Sequence, residues 1–153
     1  MRLSKLLRSY AADLLNAGIP EKCSLEMEIS KDAETVVIEC DARLISRAIN
    51  NLVQNSINHN PQGCTISLGL IRSDTAIFLT VADNGVGLSA EKLRELEEKP
   101  HYMESTDERL DLRHGLGLLL VRQIVEAHGG GMKIESASQS GYQTVLTFPN
   151  GKK

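Results

Sequence analysis

Apolar residues recur along this chain with two spacings, and each spacing predicts a different kind of element. Three segments repeat every three to four residues, as amphipathic helices do; they are residues 3–17, 41–58 and 116–128. Other segments alternate apolar and polar residues or form short apolar runs, as strands do; they are residues 25–29, 36–38, 64–71, 75–82, 132–137 and 143–148. The strands form three hairpin pairs separated by helices, which predicts an α+β fold. We expect a two-layer α/β sandwich in which helices cover one face of a mixed, mostly antiparallel sheet.

Turn and capping residues set the expected boundaries. Gly18 is expected to end the first helix, and Asp41 is a good N-cap for the second. The predicted buried face of the second helix comprises Leu44, Ile45, Ala48, Ile49, Leu52 and Val53. A short helix is predicted at 90–97, and the charged, aperiodic residues 98–114 predict a lid or a disordered loop. We expect a helix at 1–18, either the domain's own first helix or the end of a connecting helix, followed by one domain at 19–153.

Composition narrows the class of protein. A chain of 153 residues is long enough for one sizeable core. A formal net charge of -3 and a pI near 5.8 do not give the basic surface that nucleic acid requires, and 3% aromatic residues are too few for base stacking. No apolar run approaches the roughly 20 residues of a membrane span. We therefore expect a cytoplasmic domain that contacts neither nucleic acid nor membrane, with its three cysteines reduced.

Three polar stretches interrupt the apolar framework, and each has two interpretations. Asn51, Asn55 and Asn58 recur at i, i+4 and i+7 on one helix face, and they form either a magnesium site or a solvated polar face. Asp83 ends a buried run before Gly-x-Gly. Its carboxylate either accepts a hydrogen bond from an amine such as adenine N6 or closes an Asx turn. Residues 114–118 open a helix with glycines, which indicates either an anion site or a tightly packed junction.

Two other nucleotide motifs fit poorly. Gly85-x-Gly87-x-x-Ala90 formally matches the dinucleotide fingerprint, but an aspartate precedes its first glycine and a lid follows it. That fingerprint requires a second parallel strand at this place in the sequence. The phosphate-loop pattern Gly-x-x-x-x-Gly-Lys-Ser/Thr is absent from the sequence.

Taken together, these stretches resemble the GHKL ATPase superfamily. Residues 51–55 (NLVQN) are similar to its N box, residues 83–87 (DNGVG) to its first glycine box and residues 115–118 (GLGL) to its second. Residues 121–130 (VRQIVEAHGG) and the closing hairpin at 141–149 resemble those of sensor histidine kinases. The resemblance implies the Bergerat fold, with ATP and magnesium bound under a mobile lid.

The resemblance also implies roles for individual residues. Asn55 would bind magnesium with support from Asn51, Asp83 would read adenine, and Thr144 would lie near the base. The glycine boxes would line the base pocket and hold the phosphates; their residues are Gly85, Gly87, Gly115, Gly117 and Leu118.

The sequence departs from the family pattern after the magnesium asparagine. Family members often carry a basic residue and an aromatic where this chain has Asn58 and His59. Arg109 or Arg113 in the predicted lid is the candidate for the missing cation. The full candidate site comprises Asn51, Asn55, Asn58, His59, Asp83, Gly85, Gly87, Leu88, Arg113, His114, Gly115, Leu116, Gly117, Leu118 and Thr144.

Residue 51 discriminates between the reactions that the resemblance allows. ATP-hydrolysing relatives place a glutamate there as general base, whereas the amide of Asn51 cannot accept a proton. The predicted function is therefore transfer of the γ-phosphate to a histidine on a separate dimerisation domain of the same protein, with a response regulator downstream. The domain would then lie in the cytoplasm. The cytosolic part of a membrane-bound sensor also fits this prediction. Two alternatives stay open: a degenerate nucleotide-binding regulatory module and an ATPase.

Overall fold

Three α-helices and five strands make up the fold of the described residues. The computed structural model describes residues 1–85, 116–136 and 141–150. The helices are α1 (Leu3–Ala17), α2 (Ala42–His59) and α3 (Leu116–Ala127). The strands are β1 (Ser24–Ile29), β2 (Thr65–Arg72), β3 (Ala76–Asp83), β4 (Gly131–Ser136) and β5 (Tyr142–Pro149). The helix predicted at 90–97 and the lid predicted at 98–114 lie outside the described residues.

The strands form one mixed sheet in the order β1-β2-β3-β5-β4. β1 runs parallel to β2, and the other neighbouring pairs are antiparallel. Alternate residues of β2, β3 and β5 are buried, and they share one hydrophobic core with the helices. The predicted α+β sandwich, with helices on one face of a mostly antiparallel sheet, is confirmed.

The first predicted hairpin is wrong. Residues 36–38 do not join the sheet: Val37 forms an isolated bridge with Arg2, and Ile38 N donates to Met1 O at 3.0 Å. Val36 and Ile38 are apolar because they are buried in the core beside the start of α1, not because they pair with β1. β1 instead pairs with β2, which follows α2 in the sequence, and a parallel pair of this kind requires such a crossover.

The capping and packing of α2 follow the prediction with one exception. Asp41 Oδ1 accepts hydrogen bonds from Arg43 N at 3.0 Å and Leu44 N at 3.3 Å, as expected of an N-cap. Leu44 was predicted to be buried but is 37% exposed. The buried residues centre on the line of Ile45 and Leu52, and at about 100° per residue Leu44 falls to the side of that line, in register with Asn51.

The first helix packs into the same core as the rest of the described chain. Its buried apolar residues are Leu3, Leu6, Leu7, Ala11 and Leu14. The Tyr10 hydroxyl donates to Asn50 Oδ1 at 2.8 Å and so ties α1 to α2. Among the described residues, none of the helices is long and apolar enough to cross a membrane.

Candidate functional site

Buried polar side chains collect at one end of the fold. Six polar side chains are buried among the described residues, and one of them, Ser4, lies apart and donates to Glu34 O at 2.7 Å. The other five lie near the C-terminus of α2, at the end of β3 or near the start of β5; they are Asn55, Ser56, Asn60, Asp83 and Thr144. Some of these groups hydrogen-bond to nearby backbone atoms, but the hydroxyls of Ser56 and Thr144 have no hydrogen bond of ordinary geometry with any described residue. Leaving a buried polar group without a partner costs roughly 1–3 kcal/mol, so this concentration indicates a site that binds something polar.

Asp83 is the last residue of β3, and strands on both sides hold its backbone. It pairs with Ile66 of β2 and with Tyr142 of β5. Its Oδ1 accepts a hydrogen bond from Gly85 N at 2.9 Å, so the Asx turn considered as an alternative is present. That hydrogen bond occupies one carboxylate oxygen and fixes the orientation of the other. The turn and a ligand-reading role are therefore compatible.

The chain after β3 is fastened to the start of β2. Asn84 Oδ1 accepts from Thr65 N at 2.8 Å, and Asn84 N donates to Thr65 O at 3.3 Å. Glycine at residue 85 leaves room for Asn60, because a Cβ there would collide with the Asn60 side-chain amide unless that amide moved. That amide is itself held, since Asn60 Nδ2 donates to Ser56 O at 2.8 Å. This contact joins the end of β3 to the C-terminus of α2.

The start of β5 completes this side of the site. Gly141 has φ +91°, and a Cβ there would collide with the carbonyl oxygen of Asp83. Thr144 is 0% exposed, on the same face of β5 as Tyr142, and its hydroxyl makes no hydrogen bond of ordinary geometry with any described residue. We refer to Asp83, Gly85, Tyr142 and Thr144 as the sheet end of the site.

Electrostatics confirm that Asp83 is close to two other ionisable groups. Burial raises the pKa of Tyr142 to about 12, a side-chain interaction with Thr144 opposes the rise, and the charge of Asp83 adds to it. Burial also raises the pKa of Cys64 to about 11, and Asp83 is the next largest cause. Both groups are therefore neutral at physiological pH.

The asparagine stripe on α2 grades from buried to exposed. Asn55 is 7% exposed, Asn51 is half-buried and Asn58 is exposed. The gradient follows the helix geometry, because at about 100° per residue Asn55 lies nearest to the buried face and Asn58 farthest from it. His59 lies next to the sheet end, with its ring 6.3 Å from that of Tyr142 in an edge-to-face arrangement.

The first turn of α3 lies at the same end of the fold as Asn55. The C-terminus of α2 meets the start of β5 through His59 and Tyr142, whereas the C-terminus of α3 meets the other end of β5, where Gly129 lies against Pro149. The two helices are therefore antiparallel. Leu118, in the first turn of α3, is buried in the core. We refer to Asn51, Asn55 and the first turn of α3 as the helix end of the site.

The predicted residues divide into those that the structure brings together and those that it leaves undescribed. The former are Asn51, Asn55, His59, Asp83, Gly85, Leu118 and Thr144, with Leu116 and Gly117 in the first turn of α3 and Asn58 on the exposed side of the stripe. Outside the described residues lie Gly87, Leu88, Arg113, His114 and Gly115.

Three residues of this end were not predicted from the sequence. Ser56 is buried with a hydroxyl that has no partner among the described residues, Asn60 packs on Gly85, and Tyr142 pairs with Asp83. Ser56 did carry a signal, because it is a polar residue within the apolar stripe of α2. Asn60 and Tyr142 carried none, since each lies just beyond the predicted end of an element.

Comparisons with known proteins agree with this geometry. Residues 40–152 match the model of the family described as "Histidine kinase-, DNA gyrase B-, and HSP90-like ATPase". The sensor protein IrlS of Burkholderia pseudomallei is 32% identical over 112 residues, which are 73% of this chain and 24% of that protein. The adaptive-response sensory kinase SasA of Synechocystis is 32% identical over 127 residues, which are 82% of this chain and 32% of that protein.

Solved structures support the fold independently. The catalytic domain of the histidine kinase ThkA superimposes with a TM-score of 0.77 at 22% identity, covering 98% of this chain and 93% of that one. The mycobacterial sensor histidine kinase MprB gives a TM-score of 0.73 at 18% identity, covering 97% and 96%.

The fold and the site thus define an ATP-binding domain of α+β architecture. The chain belongs to the histidine kinase-, DNA gyrase B- and HSP90-like ATPase family. Its relatives IrlS and SasA are named as a sensor protein and a sensory kinase. The chain spans between about a quarter and a third of the length of these curated relatives. The resemblance stated from the motifs is confirmed.

Proposed function

We propose that this domain binds ATP with magnesium at the site described above and donates the γ-phosphate to a histidine on a separate phosphoacceptor domain of the same protein. The phosphate then passes to a response regulator, as in two-component signalling. The observation that carries the proposal is the concentration of buried polar groups at one end of the fold, with a fixed carboxylate at the end of β3 and a buried amide near the C-terminus of α2. We further propose that the domain is cytoplasmic and that residues 1–18 supply its first helix, α1, ahead of the ATP-binding part at 19–153, because α1 contributes to the same core.

The sheet end would hold adenine. With Oδ1 of Asp83 committed to Gly85 N, the second carboxylate oxygen is oriented to accept from the adenine amine. The Thr144 hydroxyl is buried on the same face of the sheet and makes no hydrogen bond of ordinary geometry with any described residue, so a ligand or an ordered water would satisfy it. Gly85, Gly87 and Leu88 would line the base pocket. Guanine presents a carbonyl oxygen where adenine presents an amine, so Asp83 would select adenine.

The helix end would hold the phosphates and magnesium. Asn55 is the proposed metal ligand, because a buried neutral amide oxygen suits magnesium, which shares its coordination between protein, phosphates and water. When bound, magnesium neutralises charge on the phosphates. The first turn of a helix offers backbone N–H groups that anions bind, and by resemblance Gly115, Leu116, Gly117 and Leu118 would hold the phosphates, with Arg113 and His114 as further candidates. Asn51 would support Asn55 from one turn earlier.

Phosphoryl transfer fits this domain better than hydrolysis does. Asn51 stands where a hydrolase needs a general base, and an amide cannot take a proton from water. In phosphoryl transfer the protein mainly positions groups and neutralises charge, so a separate domain can supply the acceptor.

One observation favours a second candidate, a nucleotide-binding regulatory module that transfers no phosphate. Asn58 is exposed and uncharged at the place where family members often carry a cation, so α2 supplies no positive charge there. The two candidates differ in whether a full-length protein with the acceptor histidine becomes labelled by ATP. Labelling on histidine supports the kinase, and its absence with ATP binding intact supports the regulatory module.

Nucleotide binding itself is tested by thermal unfolding. Because only the native state binds the nucleotide, we expect ATP or ADP with magnesium to raise the Tm. GTP should raise it much less, because guanine presents a carbonyl oxygen where Asp83 would accept from the adenine amine. Equal stabilisation by ATP and GTP would contradict the role given to Asp83. Steady release of ADP by the isolated domain, abolished in Asn55→Ala, would instead support an ATPase.

A further inference from the structure

One histidine lies far from the candidate site yet joins its two helices. His128 follows the last residue of α3, and its ring bridges α3 and the start of α2. Asp41 N donates to Nε2 at 3.0 Å, and Nδ1 lies 2.7 Å from Ile124 O. A backbone N–H can only donate and a carbonyl can only accept, so Nε2 must carry a lone pair and Nδ1 the proton. The two contacts therefore require the neutral Nδ1–H tautomer.

The partner of His128 is the residue that begins α2. Asp41 accepts from Arg43 N and Leu44 N through its side chain and donates to His128 through its own N–H. A single residue thus caps the start of α2 and holds the residue that follows α3. Because the imidazole is rigid and hydrogen-bonded on both sides, it limits sliding of one helix along the other.

The distances along the two helices show which parts of α2 and α3 the His128–Asp41 contact keeps level with each other. α2 and α3 are antiparallel, since their C-termini meet opposite ends of β5. At about 1.5 Å of rise per residue, Asn51 and Asn55 lie roughly 15 to 21 Å along α2 from Asp41. Leu116 lies about 18 Å along α3 from His128 by the same measure. The His128 contact therefore keeps the first turn of α3 level with Asn51 and Asn55.

We propose that His128 is a positioning residue of the ATP site, which fixes the lengthwise register of α3 on α2 and so aligns the phosphate-binding turn with Asn55. This inference rests on the proposed function. A slip of a single residue would move the turn by about 1.5 Å, a displacement large enough to weaken a positioned contact severely. The sheet end lies on β3, β5 and the residue pair that follows β3, so loss of His128 leaves the base contacts in place.

The test compares ligands that use one or both ends of the site. Dissociation constants for adenosine and for magnesium–ATP are measured by calorimetry on the unmodified chain and on His128→Ala. We expect the affinity for magnesium–ATP to fall roughly 2- to 10-fold, the range that loss of one net hydrogen bond gives. The affinity for adenosine should stay the same. His128→Gln, whose side-chain oxygen is able to accept from Asp41 N, should restore part of the loss.

Tyr10→Phe is the matched control. It removes another side-chain hydrogen bond to α2, from Tyr10 to Asn50 Oδ1, but one that comes from α1 instead of α3. We expect it to lower the Tm without changing the ratio of the two affinities. Equal losses for adenosine and magnesium–ATP in His128→Ala, or no loss for either, would overturn the positioning role.

A measurement on the unmodified chain covers the case in which His128→Ala fails to fold. Nitrogen-detected NMR reports the His128 tautomer directly, and a proton on Nε2 of the neutral ring would overturn the proposal. Failure of the proposed function gives a different result, because the unmodified chain would then bind neither adenosine nor magnesium–ATP.

Discussion

The two ends of the candidate site are built in different ways. The sheet end rests on backbone ladders, since Asp83 lies between paired residues of β2 and β5 and the following residue is tied to Thr65. The helix end rests on side-chain packing between α2 and α3, with the His128–Asp41 contact at the far end of the helix pair. A ladder fixes each residue against its neighbours, whereas packed helices are able to slide. The proposed adenine contacts are thus preformed, and the phosphate contacts depend on helix register.

Among the substitutions, Asp83→Asn should lower ligand affinity the most. It should affect only the contacts at the sheet end. Gly85 N requires an acceptor, so the new amide would direct its oxygen to Gly85 and its NH₂ group toward the adenine amine. Two facing donors leave both unpaired at a cost of about 1–3 kcal/mol, or roughly 10- to 100-fold in affinity. Calorimetry with adenosine and ATP should show equal losses for both ligands.

Asp74→Asn in the β2–β3 turn is the matched control for Asp83→Asn, because it removes the same charge from an exposed position. It should leave both affinities unchanged. If Asp83→Asn bound adenosine as well as the unmodified chain does, Asp83 would not be the adenine-reading group.

Gly85→Ala should give the next largest effect. The added Cβ collides with the Asn60 amide, and overpacking of this kind costs about 1–3 kcal/mol. We expect weaker binding of adenosine and ATP together with a lower Tm. Gly131→Ala in β4 is the control, because a Cβ there has open space. Partial recovery in the double variant Gly85→Ala/Asn60→Ala would show that this collision is the cause, and no recovery would refute it.

The fold was largely predictable because most of its elements carry local signals. The caps at Gly18 and Asp41 and the apolar spacing of α2 mark their helices, and the alternation in β2, β3 and β5 reflects burial of one face. The partner of β1 was not predictable in this way. Residues 36–38 look like a strand because they are apolar, but the core, which brings together residues distant in sequence, is what buries them.

The candidate site was predictable only where it uses motif residues. Asp83 and Asn55 stand out because a carboxylate after an apolar run and an asparagine beside a buried face both need a reason. Asn60 and Tyr142 become part of the site through tertiary contacts, with Gly85 and Asp83 respectively. No local pattern encodes such contacts, so the structure was needed to find them.

Asn55→Ala should have a smaller effect that is confined to the helix end. Removing the proposed ligand should lower the affinity for magnesium by roughly 10-fold or more, since loss of even an outer-shell partner of a metal ligand costs about that much. Most of the magnesium dependence of ATP binding should therefore disappear. Adenosine binding should not change. Asn58→Ala, on the exposed side of the same stripe, is the control and should alter neither. Magnesium dependence that persists in Asn55→Ala would show that another group binds the metal.

The smallest effect at neutral pH is expected from Tyr142→Phe at the sheet end. Burial raises the pKa of Tyr142 from 10.0 to about 12, so the phenol is neutral at pH 7 and its removal changes no charge there. Because the folded-state pKa is the higher one, the contribution to stability is complete below pH 10 and is lost as pH rises toward 12. Denaturant unfolding at a series of alkaline pH values should show this loss in the unmodified chain.

Tyr10 provides the comparison, since burial raises its pKa to about 12 as well but it lies between α1 and α2. Tyr142→Phe and Tyr10→Phe should each flatten the alkaline decline in the free energy of unfolding. Adenosine binding should distinguish the two variants, because ionised Tyr142 would place a second negative charge beside Asp83. In the unmodified chain and in Tyr10→Phe, adenosine affinity should therefore fall above pH 11, and in Tyr142→Phe it should fall less. The same alkaline decline in adenosine affinity for both variants would contradict the assignment of Tyr142 to the sheet end.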